Sequence, residues 1–407
     1  MVTLRIITGI FVLLLIGFIF SVNKKNIRVR PVIGAFFIQA VIGAFILYVP
    51  VGQSILAILT RLVASVIEYS GHGISFLFGD LVGKNKGFIF AFQVLPIMIF
   101  FSSLMSVLYY IGIIQKIVKI FGSGVRKVLG TSSIESTAAA SNIFVGNVDV
   151  FIMVKPYVRD MTDSELFALM TGGFSSIAGS VLVGYAAMGI DINLLLTAAF
   201  MSAPGGLLFA KLIFPETSKL KERVMDIYPE GEKPVNIIEA ATSGAFTGLK
   251  VAASVGVMLL ALISLIALVN GFLSYIGGFI GYGELSLEMI FGYIFAPLAW
   301  LLGIPVSEVM TVGNFLGQKI VLNEFVAFMN LSRNNSGLSP HSEMILIMAL
   351  AGFANLSAPA AMLGVLGNFV PERKKFIARM ALRVILGATL ANLLSAAIIS
   401  LYMSISA

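Results

Sequence analysis

Gly130-Thr131-Ser132-Ser133-Ile134-Glu135-Ser136-Thr137-Ala138-Ala139-Ala140-Ser141-Asn142-Ile143-Phe144-Val145-Gly146-Asn147-Val148-Asp149 is small, hydroxylated and twice acidic. It sits in a chain of 407 residues that is 58% hydrophobic and only 12% charged, with a mean hydropathy of +1.00. A soluble domain carries about 25% charged residues, so most of this surface faces lipid. A charge at the bilayer centre costs at least ~2.5–3.5 kcal/mol, and a lipid-facing helix would not carry this stretch. A second polar interruption, residues 311–330, lies in the other half and contains Asn323-Glu324. The two are expected to build one binding site.

Outward from these stretches the chain is a series of apolar runs of about 20 residues or more, the length that crosses a bilayer. They fall at 2–21, 31–49, 88–114, 162–188, 192–214, 249–273, 343–366 and in a last helix ending near Ser406. The first has no small-x-small cleavage site and reads as a retained helix rather than a signal peptide. Residues 52–80 carry Arg61, Glu68 and His72 on an apolar helical pattern, as an interfacial helix would. Residues 285–303 are apolar and hold the single Trp300. Basic turns at 24–30, 116–127, 155–159, 219–233 and 373–379 mark the cytoplasmic side, leaving Arg61, Lys84, Lys86 and Arg333 opposite. The spans alternate consistently if both polar stretches re-enter, which non-helical backbone does only against protein or water.

The expected fold is therefore an all-α polytopic membrane protein, with eight transmembrane helices, two re-entrant helical hairpins and interfacial helices. Both termini lie outside in this reading. Residues 1–114 form N-terminal scaffold helices and an interfacial helix. Residues 115–214 form a first transport repeat, with a hairpin at 130–155 and a broken helix at 162–188. A polar loop and a scaffold helix occupy 215–280. Residues 281–407 form a second transport repeat, with a hairpin at 311–330 and a broken helix at 343–366, and the last helix.

The repeat is visible in the breaks. Leu169-Met170-Thr171-Gly172-Gly173-Phe174-Ser175-Ser176-Ile177-Ala178 resembles Met348-Ala349-Leu350-Ala351-Gly352-Phe353-Ala354-Asn355-Leu356-Ser357. Each follows a polar hairpin by a similar interval, and the topology runs the two helices in opposite directions. Inverted repeats with paired broken helices point to a secondary transporter with a midplane site. Small residues at either break alone would equally suit close helix packing.

Breaks expose carbonyls and amides. Asn142, Ser176 and the backbone near Val145 and Ile177 suit a hard monovalent cation. Glu324, beside Asn323 and facing Asn355, suits a neutral polyhydroxylated solute such as a sugar or nucleoside. Competing readings are a Glu324–Lys319 ion pair, a helix-capping role for Glu135, and Phe353 as core. The net charge of +7 sits in short turns, which sets orientation and does not indicate nucleic acid. With no cysteine, disulfides, thiol catalysis and cysteine-held metals are excluded. His72 and His341 have no metal-ligand spacing. No nucleophile–base or metal spacing supports an intramembrane enzyme, and a channel gives no reason for paired broken helices.

The chain resembles the concentrative nucleoside transporter family over nearly its whole length. The resemblance is carried by Gly34-Ala35-Phe36 to Pro50, Phe90-Ala91-Phe92-Gln93-Val94-Leu95-Pro96, Gly130-Thr131 with Glu135-Ser136, Asn142 to Gly146, Lys155-Pro156-Tyr157 and Ala203-Pro204-Gly205-Gly206. Asn323-Glu324-Phe325-Val326-Ala327 and Gly352-Phe353-Ala354-Asn355-Leu356-Ser357 complete it. It implies a homotrimer in the cytoplasmic membrane, with a transport domain moving against a trimeric scaffold as in an elevator, and nucleoside import driven by a cation gradient. It implies Glu324 and Asn355 on the ribose, Phe353 lining the pocket, and a sodium site of Asn142 and Ser176 side chains with Val145 and Ile177 carbonyls. No cofactor beyond the coupling ion is implied. Typical members read Gly-Gln-Thr/Ser-Glu at the first hairpin, where this chain has Gly146-Asn147-Val148-Asp149. Ala358 stands where a family serine meets the ribose. Asn147, Val148, Asp149 and Ala358 thus make a roomier, less polar pocket, with an expected shift toward purine or modified nucleosides. Sodium coupling is favoured, with a proton titrating Asp149 or Glu324 as the alternative.

Overall fold

A chain that must satisfy its own backbone N–H and C=O groups in lipid is driven to helix, and among the described residues there is no strand. The computed structural model describes residues 2–82, 88–218, 234–279, 281, 283–333 and 337–406, excepting the side chains of Asn147, Val148 and Ala361. The basic positions 84 and 86 lie outside the described residues, as do 219, 221, 223 and 233 with most of the polar loop that holds them.

The helices run α1 Val2–Ile19, α2 Val29–Tyr48, α3 Pro50–Phe78, α4 Phe90–Gln93, α5 Leu95–Tyr110, α6 Ile113–Leu129, α7 Ser133–Ser141, α8 Asn147–Val158 and α9 Asp163–Ser175. They continue as α10 Gly179–Ala187, α11 Ile192–Ile213, α12 Ile237–Phe279, α13 Leu287–Leu301, α14 Val309–Val321, α15 Glu324–Arg333, α16 Pro340–Leu350, α17 Ala358–Phe369 and α18 Lys374–Ser406. The run expected as one span at 88–114 is divided. Pro96 opens α5, where its missing N–H is harmless, and Gly112, at φ +84°, turns the chain into α6.

Among the described residues, eight helices are long and apolar enough to cross a membrane. The number agrees with expectation but the membership differs. Continuous helix across 50–82 qualifies by length and hydropathy, whereas α16 and α17 are each too short because the chain breaks between them. The span expected at 249–273 belongs to the 43-residue α12, about 65 Å at 1.5 Å per residue.

Burial divides these helices. The best span windows of α9–α10, α11 and α18 are 94%, 78% and 83% buried, against 6–28% for α1, α2, α3, α4–α5 and α12. The former build the interior, and α9–α10 carries the first break; the latter form an outer wall. Within that wall α5 and α12 approach through small residues. A Cβ on Gly248 would lie 2.7 Å from the Ile99 Cα, and one on Gly244 2.7 Å from the Ser102 carbonyl. Between wall and interior, the buried Gln39 of α2 donates to Ser395 Oγ of α18 at 2.8 Å.

Candidate substrate and cation site

Both polar stretches fold as helical hairpins. In the first, Ser132 begins α7 with a capping box: Glu135 N–H donates to Ser132 Oγ at 3.3 Å and Ser132 N–H to Glu135 Oε1 at 2.7 Å. The other Glu135 oxygen meets Lys211 Nζ at 2.5 Å, and Lys211 also donates to Ser164 Oγ at 3.0 Å. Glu135 is thus a buried cap and ion-pair partner, which leaves Asp149 as the carboxylate near the hairpin tip.

That tip is lodged against the first break, residues 176–178. A Cβ on Gly179 would fall 2.8 Å from the Phe144 carbonyl oxygen, and one on Gly146 3.2 Å from Ala178 Cβ. One on Gly172 would sit 3.5 Å from Asn142 Nδ2. Asn142 and Ser176 are each 1% exposed, and Val145 and Ile177 are buried. Ser176 Oγ donates to the Gly173 carbonyl at 3.3 Å, so its lone pairs remain free to accept. Both polar atoms of the Asn142 amide are buried without a hydrogen-bond partner. Such an orphan costs about 1–3 kcal/mol, and an oxygen-seeking cation is one way to offset it.

The second hairpin meets the second break in the same manner. Leu356 N–H donates to the Ile320 carbonyl at 2.9 Å. Asn323 Oδ1 accepts from Val326 N–H at 2.9 Å and starts α15, placing Glu324 in its first turn. Asn355 Nδ2 donates to Glu324 Oε2 at 3.1 Å, and Tyr185 Oη of α10 donates to Oε1 at 3.0 Å. Both carboxyl oxygens are therefore oriented, one by each broken helix. A carboxylate has about four lone-pair sites, so two remain for ligand hydroxyls. Asn355 Oδ1 accepts from Ser357 N–H at 3.0 Å.

The Glu324–Asn355 pair is brought together as expected, and Phe353, half-buried, lies two residues away on the same break. Ala358, 2% exposed, begins α17. α8 packs on α17 and α10 on α15, so each hairpin's second arm touches the other unit's broken helix. Asp149 is exposed in the first turn of α8. The side chains of Asn147 and Val148 lie outside the described residues. The competing Glu324–Lys319 pairing is not formed: Lys319 Nζ donates instead to the Ala349 carbonyl at 2.7 Å and Asn392 Oδ1 at 2.8 Å.

Sequence reasoning missed Tyr185, Lys211 and Asn392. Lys211, the one charged residue of α11, and Asn392, the one amide of α18, carried a signal, since such groups are expensive in an apolar helix unless partnered; Tyr185 carried none.

Two hairpins wedged against two broken helices, with acceptors at both contacts, define a polytopic membrane transport protein by class. Comparisons give the family. A family model described as "Na+ dependent nucleoside transporter C-terminus" matches residues 194–400, its N-terminal counterpart matches 8–81, and one described as "Nucleoside recognition" matches 91–191. The chain is 46% identical to the nucleoside permease NupC of Helicobacter pylori, over 98% of each chain. It is 38% identical to human solute carrier family 28 member 3, over 96% of this chain and 58% of the human protein. The solved structure of CNTnw in an inward-facing substrate-bound state has a TM-score of 0.94 at 45% identity, covering 100% of this chain and 99% of the other. A variant of CNTnw in an outward-facing state gives a TM-score of 0.96 at 44% identity, covering 100% of this chain and 99% of the other. The chain belongs to the concentrative nucleoside transporter family. It is a multi-pass protein of the cell membrane and a transporter rather than an enzyme.

Proposed function

We propose that this protein imports nucleosides by symport with sodium, as a homotrimer whose paired hairpins and broken helices move together against the outer-wall helices. The observation that carries the coupling is the Asn142 amide, buried and unpartnered against Gly172, one turn before the first break. Its side-chain oxygen, the Ser176 hydroxyl and the Val145 and Ile177 carbonyls form the proposed cation cage. Glu324 and Asn355 hold the ribose hydroxyls, and Phe353 lines the base side. The relative CNTnw is known in inward-facing and outward-facing states, which supports alternating access for this fold.

The base side is where this chain departs from its family. Asn147, Val148, Asp149 and Ala358 offer a wider pocket with two hydroxyls fewer, and purine or modified nucleosides are the proposed preference. The test is uptake of labelled inosine, uridine and adenosine into proteoliposomes under a sodium or a proton gradient. Sodium-driven accumulation with purines ahead is the expected result. Accumulation driven only by protons would remove the cation cage and turn attention to Asp149 and Glu324. Restoring Gln, Thr and Glu at 147–149 should move selectivity toward uridine; an unchanged profile would remove the base-site reading.

A further inference from the structure

Asn392, 2% exposed in the middle of α18, is the one side chain that touches both helix breaks among the described hydrogen bonds. Its Nδ2 donates to the Ser175 carbonyl at 2.7 Å and to the Ala351 carbonyl at 2.9 Å. Its Oδ1 accepts from Lys319 Nζ, which also donates to the Ala349 carbonyl. The last four carbonyls of a helix have no partner within it, and in lipid each must find one. Ser175 ends α9, and Ala349 and Ala351 lie at the end of α16. The Lys319 ammonium additionally faces the negative end of the α16 dipole. One amide and one ammonium therefore cap both broken helices at once. Gly352 makes room for this, since a Cβ there would fall 2.4 Å from Asn392 Oδ1 and 2.7 Å from the Ser175 carbonyl oxygen.

The residues next to these capped carbonyls are the binding residues. Ser176 and Ile177 follow Ser175, Phe353 and Asn355 follow Ala351, and Glu324 lies five positions beyond Lys319. We infer that the Lys319–Asn392 pair is the element that couples cation binding at the first break to nucleoside binding at the second, an inference that rests on the sodium symport proposed above. A cation drawing the Ser176–Ile177 segment into place fixes the Ser175 carbonyl, which fixes the Asn392 amide plane. That plane sets the Ala351 carbonyl and, through Lys319, the arm that carries Glu324. Lys319 and Asn392 are positioning residues in this scheme and touch neither ligand.

The test is nucleoside affinity at zero and saturating sodium, by calorimetry on purified protein in nanodiscs, for wild type, Asn392→Ala and Lys319→Gln. Wild type should bind at least about fivefold more tightly with sodium, within the usual range of coupling between sites. Each variant should keep measurable binding while that ratio falls below about twofold. A merely structural role would weaken affinity equally at both sodium concentrations and leave the ratio unchanged, which would overturn the inference. A wild-type affinity indifferent to sodium would instead defeat the symport reading, and this inference with it. Should both variants elute as aggregates, hydrogen exchange on the wild-type protein decides. Sodium without nucleoside should slow exchange at 349–356 as well as at 172–179, and protection confined to 172–179 would overturn the inference.

Discussion

Tyr185 reaches Glu324 from the other structural unit, and its ring is fixed by Phe325 and Phe328 at centroid distances of 4.9 and 4.5 Å. Tyr185→Phe keeps that packing and deletes one hydrogen bond to a carboxyl. Such bonds contribute about 1.5–3 kcal/mol when the partner is charged, so nucleoside affinity should drop about tenfold or more in titration calorimetry, with the fold intact. Asn142 makes the opposite case. Its amide has no partner to lose, so Asn142→Leu should raise the melting temperature measured without sodium and abolish the further rise that sodium gives the wild type. A melting temperature that still climbs with sodium in this variant would place the ion elsewhere. The two residues were not equally legible beforehand. Asn142 stood out because an amide in a small-residue stretch of an apolar chain demands an explanation. Tyr185 did not, because a tyrosine in a helix of glycine, valine and leucine reads as packing until its hydroxyl is seen to have a target 139 positions away.

At the scale of elements, composition carried far. The hairpins, the breaks at Ser176 and Gly352 and the capping box at Ser132 all follow from local chemistry, namely hydroxyl groups before glutamate and glycine within apolar helix. What local chemistry cannot give is partnership between elements, such as α8 with α17 or Lys319 with α18 rather than with Glu324. Five residues separate Lys319 from Glu324 in the sequence, but a turn intervenes at Leu322-Asn323 and sends the two side chains to different neighbours. One clasp between elements carries its own pH dependence. Ahead of α14, Glu308 accepts from Ser339 N–H at 3.2 Å and Ser339 Oγ at 3.0 Å, tying hairpin two to the start of α16. Burial alone would raise the Glu308 carboxyl, but bonds from Ser342 and Ser339 and the nearby His341 imidazole outweigh it and hold the group below its ordinary value. A carboxyl depressed in the fold adds stability that is complete above its unfolded value of about 4.3 and is lost as pH falls through the folded one. Amide exchange at 339–343 should therefore accelerate as pH falls below about 4, after correction for intrinsic rates, and Glu308→Gln should flatten that dependence.

For the whole molecule, the division between a buried interior and an exposed wall rests on how closely wall helices can approach. Gly244→Leu or Gly248→Leu would drive a side chain into α5, and overpacking of this kind costs about 1–3 kcal/mol. The expected outcome is a lowered melting temperature in detergent with little change in nucleoside affinity, because the site lies on other helices. A large affinity loss at unchanged melting temperature would mean that wall and interior are not separate functional parts. Seven of the eight apolar helices were legible as spans from hydropathy, 50–82 being read as interfacial, whereas which of them face protein was not legible, since lipid and a protein interior select the same apolar side chains.

The cap on the first helix break has a consequence for how the chain is made. The Ser175 carbonyl waits for an amide 217 residues further along. At a synthesis rate of about 5–20 residues per second, that is roughly 10–40 seconds during which α9 is already made but its end has no lasting partner in the bilayer. The nascent first half must be sheltered by water, lipid headgroups or the insertion machinery until α18 arrives. A ribosome that stops between residues 333 and 392 would release a protein with both hairpins made and neither break fully capped.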